Sequence, residues 1–295
     1  MKYNNKNWFS FLLKGSGYHI QGMLWSMFTI GMFTTAICYM QFELQLFTIE
    51  IPLALHSLLG IVVGLLLVFR TNTAYDRWWE GRRHLGQLVN TCRFLAVKLK
   101  AYLRRGNEAK RDMSLDMLAA FCYSLKQHLR DKKCEDINKY LPEKYRKGFE
   151  DAAHKPLFVM EKLSGLVREK FSSGIISGEQ LIVLENALSQ LTDILGACER
   201  IKNTPIPIAY ALHLKRILLL YSVTLPFGLI HELQWWSIPA VMLVFYTMIG
   251  IEIIGEEIEE PFGTDRNDLP VDQITTNILL NLEQVRLSET PEDTP

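Results

Sequence analysis

Residues 65–83 read LLLVFRTNTAYDRWWEGRR. An apolar run stops at Arg70, and a few positions on Arg77, Trp78 and Trp79 stand side by side. Three environments end an apolar run this way: the end of a buried core helix, an aromatic and basic nucleic-acid surface, or the point where a helix leaves a membrane. The chain has 295 residues, with 32 Lys and Arg against 32 Asp and Glu. A dedicated nucleic-acid binder would show a basic excess, so no nucleic-acid partner is expected. The charges are also segregated. Residues 22–69 hold Glu43 and Glu50 and no Lys or Arg, whereas 70–150 are crowded with both signs. Such zoning fits a chain that lies in two solvents.

Four segments are apolar enough to cross a bilayer: roughly 22–40, 51–69, 208–230 and 237–254. At ~1.5 Å per residue, ~20 residues span a hydrocarbon core of ~30 Å. The soluble alternative, a helical enzyme with buried hairpins, conflicts with the first two segments, which are apolar around the whole helix. The linkers 41–50 and 231–236 contain no Lys or Arg, while Lys2, Lys6 and Lys14 precede the first segment and Arg70, Arg77, Arg82 and Arg83 follow the second. The positive-inside rule then places both termini and 70–207 in the cytoplasm. Trp25, Trp235 and Trp236 fall near the expected interfaces. No cleaved signal peptide is read at the N-terminus.

The expected class is an all-α integral membrane protein. Its N-terminal segment and first two spans occupy 1–70, a cytoplasmic helical region 71–207, the last two spans 208–255, and a cytoplasmic C-terminal segment 256–295. Apolar positions at three- and four-residue spacing, such as Leu85, Leu88, Cys92, Leu95 and Leu99, mark helix over 74–133, and 158–171 and 178–201 repeat the pattern. The tail 286–295 reads as disordered.

Catalytic signatures are missing: no HExxH, Cys/His cluster, Walker loop or GxSxG elbow is found. No enzyme activity, cofactor or metal site is expected. Cys38, Cys92, Cys122, Cys134 and Cys198 form no CxxC pair and read as reduced packing residues. His56 and Ser57 are the one tempting catalytic pair, set against simple hydrogen bonding within a helix bundle. Ionisable groups at membrane depth usually have a reason. Arg216 and Glu252 are candidates for an intramembrane pair, with Lys215 or His213 sharing the site. The alternative is that the third span starts near Ile217 and leaves these bases at the interface. Ile61, Leu65 and Phe69, at i, i+4 and i+8, form one stripe that faces either lipid, packing neighbours or a pore.

VFRTNTAYDRWWEGRR at 68–83 and EEPFGTDRNDLP at 259–270 resemble the bestrophin family in its bacterial branch. That resemblance implies a homopentameric ion channel in the bacterial cytoplasmic membrane. It places a pore neck at Ile61, Leu65 and Phe69 and a cytoplasmic constriction near Ile182. Asp76, Arg77, Trp78 and Trp79 follow too far beyond Arg70 for an interfacial belt and read as a structural joint at the top of the cytoplasmic helices. Phe69 is expected as the last ring of the neck and Arg70 as the first group in water. Animal members bind calcium after the Pro-Phe-Gly motif; here Arg266 interrupts Asp265 and Asp268, and no calcium site is assigned. Glu43 and Glu50 would favour cations at an outer entrance, unless both are ordinary solvated loop charges. Monovalent cations such as sodium are the expected permeant ions, with a chloride channel or a non-conducting membrane scaffold as alternatives.

Overall fold

The computed structural model describes residues 18–46, 51–103 and 108–288. Among them the regular structure is entirely helical. The α-helices are α1 (Tyr18–Phe42), α2 (Leu53–Tyr102), α3 (Glu108–Leu129), α4 (Glu143–Asp151), α5 (Lys155–Ser172), α6 (Gly178–Asn203), α7 (Ile208–Leu233), α8 (Ser237–Glu259) and α9 (Val271–Leu287). Two compact units result: the described residues up to Tyr75 with Ile206–Glu259, and Asp76–Pro205 with the described residues from Glu260 onward.

The first unit holds α1, the start of α2, α7 and α8. These segments are long and apolar enough to cross a membrane. α7 and α8 are separate helices, because a 3-10 turn at Gln234–Trp236 stands between them and Gln234 takes a positive φ of 46°. Close approach is built at two glycines. A Cβ on Gly60 would meet Tyr221 Oη at 2.9 Å, and one on Gly228 would meet His56 Nδ1 at 2.8 Å. The ring of His56 also bonds through Nε2 to Thr224 Oγ1 at 3.2 Å. Ser57 donates to the carbonyl of Leu53 in its own helix, so the two residues do not combine into a catalytic pair.

Arg70 is buried, 2% exposed, and is not the first group in water. Its Nη2 lies 2.7 Å from Glu259 Oε2, and the Glu259 carboxylate also accepts the Ile206 N–H at 3.0 Å. One carboxylate thus ties the apolar end of α2, the entry to α7 and the end of α8. Burial is tolerable because a charge taken from water must be paired and hydrogen-bonded. Glu252 is buried too, but its near base is Lys215, at 3.7 Å; Lys215 lies closer still to Glu256, at 2.7 Å. Arg216 is exposed and is not the partner the sequence suggested. One residue of helix rotates a side chain by about 100°, which turns Arg216 away from the face that Lys215 presents to α8.

The second unit is a helical bundle around α3, in which residues 114–125 are buried except for half-buried Asp116. A helix apolar on every side belongs at the centre of a core. Around it pack α2 through Leu85, Leu88, Cys92, Leu95 and Leu99, together with α5, α6 and α9. α6 is also apolar enough by composition to be a span. Its apolar stripe, Leu184, Leu188, Leu191, Leu195 and Cys198, is buried inside this unit, and Glu185 and Asp193 interrupt the helix outside it, so it is a core helix here. Ser177 and Gln180 cap its start reciprocally. Cys92, Cys122 and Cys198 are buried free thiols, and burial pushes the Cys198 thiol up to about 12. The final helix runs to Leu287, with Arg286 bonded to Asp116, so structure extends into the start of the segment read as a disordered tail. The remainder of that tail, from 289, lies outside the described residues.

Arg70→Ala should lower the melting temperature of the detergent-solubilised protein clearly, because unpairing a buried charge costs about 3–5 kcal/mol. Lys139→Ala, which removes an exposed pair with Asp136, should leave it unchanged. Equal small shifts for both would contradict the tie assigned to Arg70.

Candidate functional site

α2 presents two opposed faces. At about 100° per residue, His56, Val63, Leu67, Arg70 and Ala74 fall within a sector of about 60°. All five are buried. Ile61, Leu65 and Phe69 lie about 170° away by the same rotation. They are 71%, 54% and 56% exposed in the single chain. Fixed inward contacts therefore turn the stripe outward: His56 nests against Gly228, and Arg70 pairs with Glu259. Asn72 and Asp76 extend the outward face beyond Phe69, and both are exposed. Ile182 lies in the first turns of α6 and is 61% exposed. Glu43 is exposed just past the end of α1, and Glu50 lies outside the described residues.

The two motifs that mark the chain meet in the second unit. Trp78 donates through Nε1 to the Asn267 carbonyl at 2.9 Å and packs on the main core. Phe262 is buried, and a Cβ on Gly81 would come within 3.2 Å of both Phe262 and Leu269. The loop closes through Leu269 N–H to the Pro261 carbonyl at 2.9 Å. Arg130 holds it from the other side: it donates to the Phe262 carbonyl at 3.2 Å and pairs with Asp272 at the start of α9. The hydrogen bond from Arg130 holds the Asp272 carboxyl below the usual carboxylate range, with the Lys126 ammonium adding to the effect. Asp268 accepts the Asp265 N–H at 2.6 Å, so one of its oxygens serves the turn.

The four joint residues thus divide. Arg77 donates to the Ile201 carbonyl at 2.6 Å and to that of Thr204, at the C-terminal end of α6, where a cation meets unpaired carbonyls and the negative end of the helix dipole. Trp78 is half-buried and bonded. Trp79 is 56% exposed, and Asp76 is exposed as well. Sequence reasoning grouped the two indoles; the structure gives them opposite environments. It also brings together His128, His154 and Glu199, three half-buried residues that no motif spacing connects.

These features define an all-helical membrane protein with an outward apolar stripe on its second apolar helix. Residues 1–284 match the family described as Bacterial/Fungal Bestrophin protein, and the chain belongs to that family. Among its relatives, the Synechocystis protein named voltage-dependent anion channel-forming protein sll1024 is 40% identical over 240 residues, covering 80% of this chain and 78% of that one. The Nostoc protein of the same description, alr2987, is 41% identical over 254 residues and covers 81% of each. The Escherichia coli K12 protein YneE, likewise named, is 31% identical over 264 residues, covering 86% of this chain and 83% of that one. The crystal structure of a bacterial bestrophin homologue from Klebsiella pneumoniae superposes with a TM-score of 0.84 at 27% identity, covering 91% of this chain and 100% of that one.

Phe262→Ala should destabilise the protein by about 3–5 kcal/mol, because it empties a buried aromatic site. Trp79→Ala should be close to neutral for folding in the single chain. Limited proteolysis of each variant checks the contrast, and a Trp79 variant digested as fast as the Phe262 variant would contradict it.

Proposed function

We propose that this chain forms an ion channel, a homopentamer around a central pore in a bacterial cytoplasmic membrane, passing monovalent anions. The observation that carries the reading is the opposition of the two faces of α2. A stripe of Ile61, Leu65 and Phe69 is turned away from the buried face of its helix, in a family whose relatives bear channel names. In the assembly the stripe lines the neck, and Ile182 lines a second constriction in the helical unit. Apolar rings gate by narrowing and dewetting and carry no fixed charge to choose an ion. The bilayer holds α1, the start of α2, α7 and α8. Both termini and the second unit are cytoplasmic, as the distribution of Lys and Arg supports.

The expectation of sodium or other cations finds no support. It rested on the family resemblance and on Glu43 and Glu50, and Glu43 is an exposed residue just past α1. The relatives' names favour anions, and chloride is the simplest monovalent candidate.

Replacing Ile61, Leu65 and Phe69 together by Ala should raise anion flux through liposomes severalfold, since wider and less apolar rings wet more readily. Unchanged flux, with the protein inserted and folded, would remove these residues from the neck. No flux from either protein would favour a membrane scaffold.

A further inference from the structure

The second unit holds a cluster that the channel reading does not use. His128 lies in the last turn of α3, His154 caps the start of α5, and Glu199 lies near the end of α6. Both Nε2 atoms are 2.6 Å from the same Glu199 oxygen, Oε1, and the two rings have centroids 4.7 Å apart. The three ligand atoms all lie within 4.8 Å of one another, and all three side chains are half-buried, which leaves a path from solvent.

We propose that His128, His154 and Glu199 form a binding site for a divalent transition ion of the zinc class. Two imidazoles and one carboxylate are a donor set for such ions, with the remaining position open to water. With ligand distances of about 2.0–2.1 Å, tetrahedral neighbours sit about 3.3 Å apart. Each N···O separation therefore opens by less than about 1 Å from its present value, a movement within reach of a half-exposed glutamate. The ion replaces the two N–H donors that now converge on Glu199 Oε1.

One contact opposes binding. The Leu157 N–H donates to His154 Nδ1 at 3.1 Å, which fixes the neutral ring's proton on Nε2. An ion at Nε2 moves that proton to Nδ1 and cancels the cap. A helix cap is worth roughly fivefold in an equilibrium constant. Losing one ligand of a metal site loses more, since even a partner behind a ligand typically matters by 10–100-fold. The ion wins, and the site joins the ends of three helices that no disulfide cross-links.

The test uses the full chain in detergent, free of any affinity tag and stripped of metal by chelator. Equilibrium dialysis against ZnCl2, read by total metal analysis, should show one Zn2+ bound per chain, with a raised melting temperature. His128→Ala and Glu199→Gln should each weaken uptake by more than about tenfold. His84→Ala, which alters an unrelated ring bonded to Gln87, should not. Glu199→Gln keeps the side-chain size, so a folded variant is available if the alanine change unfolds the helix end. Co2+ bound in place of Zn2+ should show the intense visible bands of a four- or five-coordinate ion, absent in Glu199→Gln. No stoichiometric uptake, or uptake that both variants leave intact, would overturn the proposal.

Discussion

A buried guanidinium sets the geometry of the membrane unit. Arg70 stands at the end of an apolar helix, yet it points inward to Glu259, which also holds the backbone of Ile206. A charge in that position is sustained only by its partner. Because the pair fixes the rotation of α2, the faces of the whole helix follow. His56, Val63 and Leu67 are driven inward with Arg70, and Ile61, Leu65 and Phe69 are left outward. A rotation of α2 by two residues, about 200°, would break the pair and bury the stripe. The outward stripe is thus a consequence of packing chemistry as much as of apolar composition.

The helical unit has its own fixed point where the Arg-Trp-Trp and Pro-Phe-Gly segments meet. Trp78 bonds to Asn267, Phe262 fills the space that Gly81 leaves, and Arg130 joins this loop to Asp272. Residues nearly 190 positions apart in the chain therefore form one packed feature. Arg77 completes it by closing the carbonyl end of α6. These contacts give the two motifs a structural meaning, and they separate bonded Trp78 from exposed Trp79.

Much of this was legible in sequence because its signals are one-dimensional. Uninterrupted apolar runs and lopsided Lys and Arg marked the membrane segments, and three- and four-residue spacing marked the helices. What failed depended on rotation or on distant partners. A cation after an apolar run reads as an interface residue, and only Glu259 reveals that Arg70 is buried. Lys215 and Arg216 are neighbours in sequence, and a single step of helix decides which of them faces Glu252. His128, His154 and Glu199 lie on separate helices, with no spacing to connect them. The start of α6 was legible: helical spacing begins at 178, and Ser177 and Gln180 stand at the spacing of a capping box.

An apolar neck explains how a pore closes, whereas the identity of the ion rests on charge and dipoles elsewhere. Anion conduction is the central proposal, so the most direct measurement is the reversal potential of the purified protein in a planar bilayer under a KCl gradient. The account predicts reversal close to the chloride equilibrium potential. Reversal close to the potassium equilibrium potential would contradict it.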